Sequence, residues 1–403
     1  MLRNGGARFA HVWSIVSASS LLATAGWSQQ PSITWLGTLP GGRVSVAYGV
    51  SADGSVVVGW AENADEQLRA FRWANGIMQD LGTLGGDRSE AWGVSANGSV
   101  VVGFSRNAAG QWRAFRWENG VMQDLGTLGG DLSAAWDVSA DGSVVVGESR
   151  NAAGQHRAFR WENGIMQDFG TLGGCCSAAH GISADGSVAV GYAHDATGLL
   201  RSFRWENGVM QALGTPLSSL FHRVSADGRV VVGRYINNNS RWRAFRWTEE
   251  GAQDLGTLGG AEGRAWDVSA DGSVVVGEAR DAFSRWRAFR WTQAGMEDLN
   301  QTYASLLTPN SVLVVAHAIS PNGRYIVGAG YNASTRRSEA FLLDTGFPLR
   351  GDVDRNGCVD DADLLQVLSA FGERGYRNED LNWDGTIDDA DLLEVLFNFG
   401  SGC

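Results

Sequence analysis

Short apolar runs, each closed by a turn, recur along most of the chain and never widen into a helical stripe. Residues 135–170 show the pattern: "AWDVS", the turn "ADG", "SVVVGES", a polar loop, "RAFRW", the turn "ENG" and "IMQDFG". Asn-Gly between two apolar runs predicts a tight hairpin, because both turn residues must adopt positive φ. The run "VVV" is β-branched and continuous, as expected of a strand buried on both faces. Each unit therefore predicts four short strands, and the fold class is all-β.

The unit repeats. "SADG" or a variant starts at 51, 95, 139, 183, 225, 269 and 320, in steps of 42 to 51 residues. Such a period suits blades of four strands better than helical repeats. Strands of the types "AxxVS", "VVVG" and "AFRW" each occur seven times, whereas the interior holds only six of the fourth type, "MQDLGT". The seventh "AFRW"-type strand, "EAFLLDTG", runs on with no fourth strand after it, and the missing piece stands first, as "ITWLGT" at 33–38. A ring that borrows its first strand to complete its last blade has no open edge. The expectation is a seven-bladed β-propeller of about 28 strands over residues 33–345, closed by the N-terminal strand.

The repeated "RAFRW" strings, with Arg113 and Arg157 where a His is usual, resemble bacterial extracellular HAF-repeat proteins. The unit at 296–330 looks like that family's closing unit. The resemblance implies an exported repeat protein and no defined activity.

Composition changes the picture at both ends. Arg3 and Arg8 precede the apolar run "FAHVWSIVSASSLLATA" and small residues at Ala23 and Ala25, the pattern of an export signal over residues 1–28. The run is too short and too rich in Ser for a stable membrane span, and nothing else could cross. The expected location is therefore secreted, cell-surface or periplasmic. All 32 basic residues are Arg, and −10 of the net charge of −12 lies in residues 351–403. Without a basic stripe, nucleic acid is not an expected partner.

Beyond a linker at 346–350, that acidic segment carries a duplicated pattern. "DVDRNGCVDDAD" (352–363) places Asp352, Asp354 and Asn356 at positions one, three and five, Gly357 at six and Asp363 at twelve. "DLNWDGTIDDAD" (380–391) repeats it with Asp380, Asn382, Asp384, Gly385 and Asp391. These are EF-hand calcium-loop spacings, and two ions are expected. Position seven (Cys358, Thr386) would bind through its carbonyl, and position nine (Asp360, Asp388) directly or through water. Amphipathic helices follow each loop, with Leu364, Leu368 and Phe371 on one face and Leu392, Leu396 and Phe399 on the other's. Two loop-helix units of this kind resemble a dockerin domain, which implies calcium-dependent folding and a cohesin-like partner on a surface protein. The family's recognition pair is replaced here by Asp361-Ala362 and Asp389-Ala390. A bond between Cys358 and Cys403, which bracket this small domain, is expected to help stabilise it.

Within the repeats, the second position of each first strand carries a large ring: Tyr48, Trp92, Trp136, His180, His222, Trp266 and His317. Facing a channel, these form a candidate ligand ring for sugars; wedging between blades is the plainer account. The Asp residues of the "SADG" turns (53, 141, 185, 227, 271) fit turn hydrogen bonding better than metal sites. The Arg residues of "RAFRW" suit cross-strand pairing. Cys175 and Cys176 offer either a strained vicinal disulfide or drift in a variable loop. No Ser-His-Asp or paired-carboxylate arrangement is legible. The balance favours a non-enzymatic binding or scaffold protein engaging a surface polymer or protein. A tethered polysaccharide-acting enzyme and a structural envelope component are the alternatives. Two unpaired buried carboxylates in the channel would favour the enzyme.

Overall fold

The computed structural model describes residues 30–214 and 219–403. The predicted export signal lies outside them. Among the described residues, twenty-eight strands form seven antiparallel four-stranded sheets. Blade 1 comprises Ser45–Val50, Val56–Glu62, Leu68–Ala74 and Ile77–Asp80, and the next five blades follow in order. Blade 7 joins Val312–Ile319, Tyr325–Asn332 and Arg337–Asp344 to Ser32–Gly37 as its outer strand. The pairing runs from Ser32 opposite Asp344 to Trp35 opposite Phe341. The first strand does complete the last blade.

Local chemistry explains the repetition. Asn75, Asn119, Asn163 and Asn207 take φ near +50°, followed by glycines at about +80°, as the predicted hairpins require. The seven phenylalanines of the "AFRW" strands, Phe71 through Phe341, are fully buried, Phe71, Phe115 and Phe159 in clusters shared with the neighbouring blade. The glycine of "VVVG" is a close-approach position: a Cβ on Gly103 would sit 2.0 Å from the Glu90 carbonyl oxygen. Neighbouring blades are clipped by serines. Ser89 Oγ accepts from Ala70 N (2.9 Å) and donates to Gly82 O (2.6 Å). Ser45 Oγ accepts likewise from Ala340 N (2.8 Å), so the closing joint has the same clip as an interior one.

A belt of backbone hydrogen bonds links the "SADG" turns. Ala52 N donates to Ala96 O (2.8 Å), Ala96 N to Ala140 O, and so on to Ala270 N and Pro321 O (2.9 Å). Proline has no N–H to pass the series on to Ala52. The belt therefore has six links and one gap, between blades 7 and 1.

The C-terminal segment holds two loops and the helices Asp361–Ser369 and Asp389–Asn398, each started by a capping box from Asp360 or Asp388. Val353, Val359, Val367, Ala370, Ile387 and Val395 form its small core. Cys358 and Cys403 are joined in a disulfide, with Cα atoms 4.7 Å apart. The segment seats on the belt face of the propeller. Arg350 reaches Tyr325 Oη of blade 7 (2.9 Å) and Asp53 O of blade 1 (3.4 Å). Among the described residues no helix is long and apolar enough to cross a membrane.

Candidate functional sites in the channel and the tail

The first strand of each blade does line the channel, and the seven predicted rings stand side by side around it. Centroids lie 4.0 Å apart for Tyr48 and Trp92, 4.9 Å for Trp92 and Trp136, and 5.3 Å for Trp136 and His180. The circle continues through His222 and Trp266 and closes from His317 to Tyr48 at 4.6 Å. The rings pack on one another, and the space left between them is about 120 Å³. That is below the roughly 300 Å³ of a small ligand pocket. Burial pushes His180 and His317 down to about 3 and His222 well below its usual range, so all three imidazoles are neutral at physiological pH.

One residue further along the same strands, the repeat gives Gly49, Gly93, Gly181 and Ala318 but Asp137, Arg223 and Asp267 in the other three blades. This layer was not singled out from sequence, although the break from small residues was there to be seen. Arg223 reaches across the channel: its Nη1 donates to His180 O (2.6 Å), its Nη2 faces Trp136 O (3.4 Å), and its Nε lies 3.7 Å from Asp137 Oδ2. Asp137 accepts from Val138 N and Ile182 N, and Asp267 from Val268 N and Ile319 N. Each aspartate thus ties its own blade to the next. Burial raises both carboxyls, Asp267 to about 7, against the opposing pull of Arg223. The channel holds two buried carboxylates, but both are partnered.

The turn aspartates act within their turns. Asp53 Oδ1 accepts from Ser51 Oγ (2.7 Å) and Ser55 N (2.9 Å). Of the two arginines in "RAFRW", the first pairs across strands, as Arg113 does with Asp124 (3.7 Å). The second more often has another role: Arg72 Nε donates to Gly98 O of the next blade (3.2 Å), as does Arg116 to Gly142, whereas Arg290 does pair across strands with Glu297.

At the belt face the channel mouth is covered. Trp383, position four of the second acidic loop, packs on Ala52, Ala96 and Ala270 and is 4% exposed. Arg355, position four of the first loop, pairs with Asp271 (2.5 Å). Both residues have φ of +59°. The duplicated loop therefore points one residue from each copy at the propeller.

In the first loop, carboxylate oxygens of Asp352, Asp354 and Asp363 lie within 4.8 Å of one another. Asp363 is fully buried and holds the loop by accepting from Val353 N (2.7 Å) and Asp360 N (2.9 Å). Asp391 does the same in the second loop, with Leu381 N and Asp388 N. Burial, with the neighbouring Asp363 and Asp354 charges, raises Asp352 to about 6; burial, with Asp391 and Asp384, raises Asp380 to about 7. Negative groups crowded in this way are what a bound cation relieves, so the donor set fits a hard, oxygen-seeking ion.

No protein-family profile matches the chain, and no curated protein is similar to it. Among solved structures it is similar to TolB from Acinetobacter baumannii, at 12% identity and a TM-score of 0.41 over 75% of this chain and 63% of that one. A putative TolB from Agrobacterium tumefaciens shares 14% identity over 76% of this chain and 99% of that one, with a TM-score of 0.46. The β-propeller domain of the Trilobed protease from Pyrococcus furiosus shares 10% over 74% and 93%, with a TM-score of 0.49.

Proposed function

We propose that this is an exported, non-enzymatic binding protein, a closed propeller scaffold whose calcium-dependent, dockerin-like tail docks a surface partner. One observation carries the reading. The tail leaves the matching pairs Leu365 and Leu393, Leu368 and Leu396, and Phe371 and Phe399 between 46% and 65% exposed. A duplicated apolar face left open on a domain with so small a core marks an interaction surface. Two calcium ions would be held by Asp352, Asp354, Asn356, Cys358, Asp360 and Asp363, and by Asp380, Asn382, Asp384, Thr386, Asp388 and Asp391. The ions would offset the carboxylate crowding and so fix the helices that present the face. A cohesin-like protein module is the first partner to try, and a surface polysaccharide the second.

The buried pair Asp137 and Asp267 supports an alternative, a tethered polysaccharide-acting enzyme. It is the weaker reading, because Arg223 already pairs with Asp137, backbone N–H groups hold Asp267, and the cavity beside them is only about 130 Å³. The test is binding of the full chain to cohesin-type modules and to a glycan array, with calcium and with chelator. Calcium-dependent binding lost in Leu368→Asp/Leu396→Asp supports the proposal. Release of reducing sugar from a bound glycan, abolished by Asp267→Asn, replaces it with the enzyme.

A further inference from the structure

Blade 4 departs from its neighbours at one place on its inner two strands. In blade 2 Asp87 pairs with Arg106 (3.3 Å), and in blade 3 Asp131 pairs with Arg150 (3.3 Å). Blade 6 makes the equivalent pair from the adjacent position, Glu262 with Arg280 (3.2 Å). Strand register places Cys175 where Asp87 and Asp131 stand, Cys176 where Glu262 stands, and His194 where the three arginines stand. Where those blades hold one acidic and one basic partner, blade 4 holds two thiols and an imidazole, all zinc-type donors.

We propose that Cys175, Cys176 and His194 form a binding site for one thiophilic cation of the Zn²⁺ class, separate from the calcium loops. The two sulfurs and an imidazole nitrogen lie within 4.8 Å of one another. Cys175 and Cys176 are free thiols. His194 Nδ1 is buried from solvent and has no hydrogen-bond partner among the described residues, which leaves it available as a ligand. Two thiolates and an imidazole are a three-ligand zinc set, with a fourth position left for water or an incoming donor on the exposed Cys175 side. Binding displaces both thiol protons to solvent. Hard calcium does not compete for sulfur, and the carboxylate loops do not compete for a soft ion's preferred donors.

The experiment is titration of the reduced full-length chain with Co²⁺ in excess Ca²⁺, which fills the oxygen sites, followed by displacement with Zn²⁺. The expected result is one equivalent of tetrahedral Co²⁺ with thiolate-to-cobalt charge-transfer absorption, lost on adding Zn²⁺. His194→Ala should weaken binding by at least the roughly 10–100-fold that loss of a mere supporting partner costs. The double variant Cys175→Asp/His194→Arg rebuilds the ion pair of blades 2 and 3. It should keep the native circular-dichroism spectrum and lose the absorption entirely. Absence of the charge-transfer band overturns the proposal, as does a band unaffected by His194→Ala. Isolation of the chain with Cys175 and Cys176 already joined to each other, and metal-free, also overturns it.

Discussion

Two groups of buried carboxylates divide this molecule. In the channel, Asp137 and Asp267 share the space with Arg223, a cation supplied by the chain itself. In the tail, Asp352, Asp363, Asp380 and Asp391 are buried at 4% exposure or less, held by backbone N–H groups and crowded by one another. The cost of taking a carboxylate out of water is the same in both places. One region meets it with a permanent side chain, and in the proposed function the other would meet it with an ion from solution. On the proposed reading, the fold of the propeller should be indifferent to calcium and that of the tail conditional on it.

Chelation gives the largest expected effect. Removing calcium should abolish the helical circular-dichroism signal of the tail while the β signal and melting temperature of the propeller persist. A helical signal unchanged by chelator would erase the distinction. Next, Arg223→Ala converts the channel into an uncompensated site like the tail, and should destabilise the propeller by about 3–5 kcal/mol in chemical unfolding. A loss below about 1 kcal/mol would mean that the arginine is not what balances the pair.

Asp267 sharpens the comparison through pH. Its carboxyl is raised to about 7 in the folded chain, against about 3.9 unfolded. Between those values the native state binds the extra proton, so stability falls as pH rises through that window and levels off above it. The expected loss is roughly 2–4 kcal/mol. Unfolding of Asp267→Asn at saturating calcium should lack that decline. Matching slopes in variant and parent would refute the assignment. The smallest effect is expected from Pro321→Ala. It supplies the missing belt donor, worth about 1 kcal/mol, but frees the unfolded chain by about 0.4–1 kcal/mol, so the net change in melting stability should be close to zero. A shift beyond about 2 kcal/mol would show that the gap matters more than one hydrogen bond.

Much of this architecture was legible in the sequence because repetition makes local signals count seven times. Asn-Gly hairpins, buried "VVV" strands and the displaced "ITWLGT" together specify blade number and closure. What was not legible depends on the ring's radius and on blades meeting across it. Whether Tyr48, Trp92 and their counterparts leave a pocket or fill it is set by how far apart seven strands stand. Asp137, Arg223 and Asp267 are separated by 86 and 44 positions in the chain, and only closure brings them face to face. The second arginine of "RAFRW" was expected to serve its own sheet. The twist of the blades instead carries Arg72, Arg116, Arg204 and Arg246 to the next turn, while Arg290 stays paired within its sheet. Trp383 was not singled out, and nothing in its neighbours' spacing indicated the mouth of the channel.

The gap at Pro321 has a mechanical consequence. It falls at the joint that Arg350 spans, with one contact on Tyr325 and another on Asp53. Part of any load on the C-terminal unit therefore enters the toroid at this seam, through a residue that grips both of its lips. Tension is shared between the first and last blades instead of peeling one from the other.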